Sequence, residues 1–234
     1  MSHITMRFLW YSLAVLLGSA TGCNCRSELA STVKPNDIHQ RFTIHFDGAA
    51  NTTNVVARFV HGKGNHISIT LDGAAKVTHN KFALSHAGFT GSHYTGSSAG
   101  YLADHTFRYT DINGKAYINS VHLPSVDFAA DAPTTISRGK GVRIPFTASP
   151  IGERESVRFL YTQDGQRGEL NLWSSRKDES SITLSTEDLR SLKDDPASIQ
   201  LQRIGGADLK QATEKGGHAT LQYETKPREV TIVP

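Results

Sequence analysis

The sequence has 234 residues, of which 38% are hydrophobic and 20 are glycines, a composition that excludes the disordered, collagen-like and fibrous classes. The formal net charge is +3, and the Lys and Arg residues are scattered singly along the chain. The sequence therefore lacks the basic stripe that nucleic acid or an anionic membrane surface requires, and nucleic acid is excluded as a partner.

The N-terminal segment has the three parts of a secretory signal. Residues 1–7 are mainly polar and carry one positive charge, residues 8–17 form an apolar run, and residues 18–22 are small. The apolar run is shorter than the ~20 residues that cross a hydrocarbon core as a helix, which argues against a permanent transmembrane anchor. We predict that residues 1–22 are a cleaved signal peptide, whose single Arg takes the net charge from +3 to +3 − 1 = +2.

The residues before the first cysteine resemble the lipobox of bacterial lipoproteins. Ala20, Thr21 and Gly22 are small residues that precede Cys23. The resemblance implies cleavage before Cys23 and lipidation of its thiol. It also implies an outer-membrane location, facing the periplasm or the surface, because Asn24 is not the Asp that retains such proteins at the inner membrane. Ordinary signal peptidase accepts the same small residues, and it would leave Cys23 unmodified and the protein periplasmic or secreted.

Cysteine usage favours the lipidated alternative. Cys23 and Cys25 are the only cysteines, so no disulfide framework stabilises the fold despite its oxidising destination. A bridge between residues two apart would be strained. Several acyl chains on Cys23 would remove the unpaired thiol and attach the protein stably to a membrane.

The mature chain begins with a predicted tether and a first series of strands. Residues 23–37 are polar, include Pro35 and show no apolar period, which predicts a flexible, lipid-anchored tether. Residues 38–130 contain short alternating runs separated by Gly, Asp, Asn and Ser, the pattern of strands joined by tight turns. The predicted strands are 42–46, 55–60, 66–71, 76–78, 82–84, 106–110 and 116–121.

A second series of strands follows a stretch at 129–135 that has no strand pattern. Its predicted strands are 142–147, 156–162, 169–173, 181–184, 198–204, 218–225 and 229–233, with one or two helical turns at 185–192. This strand count is that of an immunoglobulin-like sandwich. The sequence thus predicts an all-β protein with two immunoglobulin-like β-sandwich domains, residues 38–130 and 131–234. The likeness is architectural and implies no function.

One motif suggests a serine hydrolase. Residues 96–100 satisfy G-x-S-x-G, the nucleophile elbow, in which Ser98 would attack with His93 or His105 as its base. The residues that follow have the pattern of a loop and then a strand, whereas an elbow leads into a helix. Hydrolysis at Ser98 is therefore an alternative and not the main hypothesis.

Histidines suggest a second alternative, a metal site. His79, His86 and His93 recur at intervals of seven, and neutral imidazole binds Zn, Cu or Ni. An interval of seven alternates between the faces of a strand, and the sequence has neither an H-x-H pair nor an H-E-x-x-H helix. We therefore expect solvated histidines, with no metal and no other cofactor.

Two tyrosines suggest a third alternative, carbohydrate binding. Tyr94 and Tyr101 flank the longest Gly- and Ser-rich stretch, which is the predicted contact surface because irregular segments commonly carry binding residues. Their rings would stack on sugars. The main hypothesis remains a lipid-anchored cell-envelope protein that displays β-sandwich modules for binding a protein or glycan partner, or for a structural role, without catalysis.

Overall fold

The fold is that of a computed structural model, which describes residues 27–62, 67–88, 91–174 and 177–234, and for residues 171–174 the backbone alone. The predicted signal peptide, Cys23 and Cys25 lie outside these residues. The described chain is mostly strand, with a single short α-helix and two 3-10 helices in that part. The all-β prediction is therefore confirmed.

Strands are numbered in chain order. The first ten are β1 (Ser27–Leu29), β2 (Ile38–Asp47), β3 (Thr52–His61), β4 (Ser68–Thr70), β5 (Lys76–His79), β6 (Phe82–Ala83), β7 (Ser85–Ala87), β8 (His93–Ala99), β9 (Asp104–Thr110) and β10 (Ala116–His122). The others are β11 (Val126–Phe128), β12 (Thr135–Ser137), β13 (Val142–Ala148), β14 (Ser156–Gln163), β15 (Gln166–Ser174), β16 (Ser181–Leu184), β17 (Pro196–Asp208), β18 (Gly217–Glu224) and β19 (Arg228–Val233). The helix α1 spans Thr186–Leu189, and the 3-10 helices span Ala30–Thr32 and Pro35–Asp37.

Alternation of side chains decides which face of each strand is buried. In β2, Phe42, Ile44 and Phe46 are buried, whereas Thr43 and His45 between them are only partly buried. Successive side chains of a strand point to opposite faces, and burying one large apolar side chain contributes roughly 1.5–3 kcal/mol. The apolar period of the sequence therefore fixes the inward face of β2.

Three sheets are present among the described residues. The largest has 12 strands, with the main order β1-β4-β3-β2-β18-β17-β14-β15, and β7, β8, β12 and β19 pair at its sides. A second sheet has the order β10-β9-β5-β6, and a third has the order β11-β13-β16. Phe42 of the largest sheet stacks on Phe107 of the second at 4.2 Å between ring centroids, so these two sheets enclose one core.

Buried side chains form two clusters, one for each part of the chain. The first includes residues of β2, β3, β5 and β9, and the second includes residues of β13, β14, β17 and β19 and begins at Val126. Strand β18 links them, because it pairs antiparallel with β17 and parallel with β2, with Gly217 opposite Gln40 and Tyr223 opposite Phe46. The segment predicted as a second domain thus adds a strand to the first sheet.

Residues 27–37, predicted to be part of a flexible tether, are packed against the fold. Strand β1 pairs in parallel with β4, and Ala30 and Val33 are buried in the first cluster. The backbone N–H and the hydroxyl of Ser31 donate to the two carboxylate oxygens of Asp72 at 2.9 and 2.6 Å. The sequence pattern did not predict this packing, because two small apolar side chains suffice to dock a segment whose other residues are polar.

Helix α1 confirms the predicted helical turn. Ser185 caps it, since the Ser185 hydroxyl accepts from the backbone N–H of Asp188 and the Asp188 carboxylate accepts from the Ser185 N–H at 2.8 Å. This reciprocal pair is a capping box. No helix within the described ranges is long and apolar enough to span a membrane.

Candidate functional site

A cleft of about 670 Å³ opens beside the β5–β6 hairpin, where strands β3 and β8 face it. Its volume lies within the range of small-molecule sites. It is lined by Thr53, Val55, His79, Asn80, Phe82, Ala83, Leu84, Ser85, Thr95, Gly96, Ser97, Ser98 and Leu102. None of these residues is Asp, Glu, Lys or Arg. The lining therefore combines hydroxyl groups and apolar side chains with one imidazole.

The hairpin that forms one wall is held by a turn of two residues. Asn80 and Lys81 both have positive φ, at 46° and 73°, which is the backbone of a tight hairpin turn. Asn80 fixes the turn to β9, because its backbone N–H donates to the Thr106 carbonyl and its side-chain oxygen accepts from the Thr106 N–H, both at 2.8 Å. Phe82 follows the turn and is 78% exposed at the cleft.

A buried pair of histidines lies behind the cleft. His79 Nε2 and His105 Nδ1 are 2.8 Å apart, and His105 Nε2 is 2.9 Å from the Leu102 carbonyl oxygen. A carbonyl only accepts, so His105 carries its proton on Nε2 and its Nδ1 accepts from the Nε2–H of His79. His79 Nδ1 is then an unprotonated acceptor, and it makes no hydrogen bond with a described residue.

Burial keeps both rings neutral. It lowers the pKa of His79 from 6.5 to about 4, with a further lowering from the neighbouring His105. Burial also lowers the pKa of His105, against the opposing effect of its hydrogen bond to Leu102. Because no other lining residue carries a formal charge, the whole wall of the cleft is uncharged at neutral pH.

Ser98 lines the cleft, but the geometry of a nucleophile elbow is absent. It lies inside β8, opposite Thr53 of β3, and not at a turn between a strand and a helix. Gly96 makes room for the Leu84 side chain, because an added Cβ would lie 2.7 Å from a terminal methyl group of Leu84, and Gly100 adopts a positive φ of 77°. Packing and backbone conformation thus account for both glycines of the motif.

The predicted bases are bonded elsewhere. His105 uses both ring nitrogens, with His79 and Leu102, and His93 Nδ1 is 2.9 Å from the Gly91 carbonyl oxygen. His93 and Ser98 are five positions apart on one strand and so point to opposite faces. Neither histidine is hydrogen-bonded to Ser98 in the part of the chain that the structure describes.

The three histidines of the predicted metal site have separate partners. His79 bonds to His105, His86 Nε2 is 2.9 Å from the Ser92 hydroxyl, and His93 bonds to a backbone carbonyl. Within the described ranges no group of three or more His, Cys, Asp or Glu side chains could hold a metal ion. The structure therefore does not bring these histidines together as ligands.

The two tyrosines predicted to contact sugars have structural partners. Tyr94 is 8% exposed, and its hydroxyl accepts from the Leu71 N–H at 2.7 Å. Tyr101 is 37% exposed, but its ring packs edge-on against Phe46 and Tyr223 and its hydroxyl donates to the Leu123 carbonyl. The ring of Tyr94 belongs to the first core cluster, and Tyr101 contacts that cluster through Phe46.

Comparison with models of known protein families finds no match to this chain, and comparison with curated proteins finds none either. The cleft itself is therefore the basis for assigning a function.

From the sequence, Ser98 was a candidate nucleophile and His79 a candidate metal ligand, and Phe82 had no predicted functional role. One signal was available for the histidine pair, since His105, Phe107 and Tyr109 alternate and all point inward. The pairing of β5 with β9 could not be predicted from the sequence, because turn signals identify pairing only between strands that follow one another in the chain.

Proposed function

We propose that this chain binds a small, uncharged ligand with hydroxyl groups and an apolar face, which is the chemistry of a neutral sugar. The observation that carries the proposal is the cleft around His79, whose lining has hydrogen-bonding groups but no charged side chain. A charged ligand would lose its hydration there without gaining an ionic partner. A neutral ligand has no such cost.

The polar wall matches a hydroxylated ligand. Ser98 offers a hydroxyl group that donates or accepts, and His79 Nδ1 accepts only. The His79 acceptor has a fixed position, because the bond to His105 holds the ring. It therefore selects a ligand hydroxyl that donates.

The apolar wall matches a ring face. Phe82 is 78% exposed at the cleft, and Leu84 and Val55 lie beside it in the lining. An aromatic ring that is exposed beside hydroxyl groups supports stacking against the C–H face of a sugar. This assigns to Phe82 the role that the sequence suggested for Tyr94 and Tyr101.

Titration calorimetry with a panel of neutral mono- and disaccharides tests this function. We expect saturable binding by the wild-type protein and roughly tenfold weaker binding by Phe82→Ala, since the variant loses one stacking contact. Ile118→Ala is the matched control, because Ile118 is also an exposed apolar residue but lies outside the cleft. No saturable binding of any neutral saccharide, or equal affinities of Phe82→Ala and wild type, would contradict the proposal.

We also propose that the protein is exported and attached to the outer membrane through lipid on Cys23. Support comes from the signal-like residues 1–22 and the lipobox-like residues before Cys23. Strand β1 begins at Ser27, only 27 − 23 = 4 residues later, a span of at most about 14 Å of extended chain. A lipid on Cys23 would therefore hold the folded body close to the bilayer.

Intact mass spectrometry of the protein purified from a bacterial membrane fraction tests the anchor. We expect a mass that begins at Cys23 and includes fatty acids, and we expect Cys23→Ala to leave the membrane fraction. A chain that retains residues 1–22, or one that begins at an unmodified Cys23, would show that the anchor is not formed.

A further inference from the structure

A basic groove lies on the face of the second sheet that is turned away from the first core cluster. It has a volume of about 440 Å³ and is lined by Lys76, Thr78, Lys81, Thr106, Arg108, Thr110 and Ile118. Three of these residues are cations, three carry hydroxyl groups and none is acidic. The groove is thus the chemical opposite of the uncharged cleft.

Strand pairing gathers residues that are far apart in the sequence. Lys76 lies opposite Thr110, and Thr78 lies opposite Arg108, in the antiparallel pair of β5 and β9. Ile118 of β10 lies opposite Arg108 on its other side. Alternation sends Val77 and His79 to the opposite face, where they are buried.

No acidic side chain among the described residues balances the positive charge of the groove. Lys76, Lys81 and Arg108 form no ion pair with any described residue. Asp104 lies on the same face of β9 but bonds to His122 at 2.9 Å, and the Asp111 carboxylate accepts from backbone N–H groups of its own turn. Cations held together without acids favour an anionic ligand.

Lys81 occupies a position where glycine would be the better residue. It has a φ of 73° at the second position of the two-residue turn, which side chains of L-residues rarely adopt and which Gly adopts without penalty. An Asn-Gly turn would form the same hairpin more easily. The backbone therefore gives no reason for a lysine here, whereas the groove does.

Thr110 supplies a second, independent observation. Its side chain lines the groove although the residue is only 8% exposed, and its hydroxyl oxygen has no hydrogen-bond partner among the described residues. Buried hydroxyl groups are normally bonded. The oxygen itself is closed off from the surface, so a rotation of the Thr110 side chain about χ1 would have to turn it into the groove, where a ligand oxygen would provide the missing partner.

We propose that this groove binds a phosphate group. A tetrahedral anion with several acceptor oxygens takes a planar, multidentate bond from Arg108 and point charges from the two lysines. The hydroxyl group of Thr78 is a donor for a remaining oxygen, and so is that of Thr106 when it accepts from the Ser120 hydroxyl, which is 3.0 Å away. The phosphate belongs either to a lipid headgroup or to a soluble phosphoester, and this site is independent of the neutral-ligand cleft.

Two titrations of the purified protein test the groove. Calorimetry with inorganic pyrophosphate measures a soluble anion, and sedimentation with vesicles of phosphatidylcholine, with or without phosphatidic acid, measures a headgroup. We expect saturable binding of at least one probe, weakened at least about tenfold in Lys81→Gly and in Arg108→Gln. Lys140→Gln, at an exposed lysine outside the groove, is the matched control and should bind as wild type does.

The thermal melt of Lys81→Gly separates lost binding from lost folding. Glycine suits the left-handed turn, so this variant should melt at or above the wild-type temperature while it loses binding. Pyrophosphate binding without vesicle binding identifies a soluble ligand, and a preference for phosphatidic acid that pyrophosphate abolishes identifies a headgroup. No saturable binding of either probe, or equal affinities of Lys81→Gly and wild type, overturns the proposal.

Discussion

His79 donates a hydrogen bond to His105 through Nε2, and this bond requires that His105 Nδ1 carry no proton. His105 is fully buried and His79 nearly so. Acid therefore removes the acceptor from the pair and places charge in an apolar core, next to the ring of Phe107 at 4.9 Å between centroids.

The histidine pair makes folding stability depend on pH in the mildly acidic range. The folded-state pKa of His79 is about 4 and its ordinary value is 6.5, so the unfolded chain takes up the proton first as the pH falls. The contribution of neutral His79 is complete above pH 6.5 and is lost progressively down to about pH 4. The difference corresponds to a loss of at most about 3 kcal/mol, reduced because His79 lines an open cleft.

Urea unfolding of wild type and His79→Gln across this range measures the effect. We expect the wild-type free energy of unfolding to fall more steeply with acid than that of the variant. Parallel curves for the two proteins would show that His79 is not a buried neutral imidazole.

Glu224 gives a pH dependence at lower pH. Burial opposes its ionisation, but the nearby His45 and Arg167 side chains, at 3.4 and 2.9 Å, outweigh burial and hold the pKa of Glu224 at about 2. Gln202 Nε2 also donates to it at 2.7 Å. Stability from this carboxylate is present above pH 4.5 and is lost as the pH falls through 2.

Glu224→Gln should therefore destabilise the protein by on the order of 2 kcal/mol at neutral pH, a value reduced because Arg167 is half exposed. Chemical denaturation near pH 7 and near pH 2 compares the two proteins. Their stabilities should converge at the lower pH, and a gap of the same size at both would refute the assigned pKa.

Arg203 is the most highly connected buried charge in the second part of the described chain. It is 2% exposed, pairs with Glu155, and donates to the carbonyls of Ser125, Ser149 and Pro150 at 3.0–3.1 Å. Arg203→Met leaves these carbonyls and Glu155 without a donor. We expect a loss of about 3 kcal/mol or more by thermal and urea unfolding.

Arg154→Gln is the control for Arg203, because Arg154 forms an ion pair with Asp208 at 2.7 Å on the open surface. The stability of the Arg154→Gln variant should remain close to that of the wild type. Similar losses in both variants would mean that burial of Arg203 does not determine its contribution.

Val33 tests whether the N-terminal segment is part of the fold. It is 8% exposed in the first core cluster, so Val33→Ala should reduce the free energy of unfolding by about 1 kcal/mol through lost burial. Lys34→Ala, at the exposed neighbouring position, should have no effect. A flexible tether would make the two variants indistinguishable in a urea titration.

Sequence patterns predicted those strands whose side chains alternate strongly. The predicted 42–46 and 198–204 lie within β2 and β17, and the turn predicted at 185–192 contains α1. Strand β8 was missed, because Gly96, Ser97 and Ser98 have little intrinsic strand preference. It forms because β3 and β7 pair with it on both sides.

Both candidate sites depend on pairings between strands that are distant in the chain. Lys76 and Arg108 are isolated charges in the sequence, which therefore indicated no basic surface, yet the register of β5 and β9 places them on one face. The same register turns His79 toward His105. Periodicity identifies the face of a strand but not its partner, so these juxtapositions lay beyond sequence reasoning.

The parallel pairing of β18 with β2 has a consequence for the order of synthesis and assembly. Until residues 217–224 have emerged, the backbone N–H and C=O groups along one side of Ile38–Asp47 have no strand beside them. An unprotected edge of this length is a template for self-association. Because residues 217–224 lie among the last 18 of the 234 residues, this edge of β2 stays open to copies of the same chain until synthesis is almost complete.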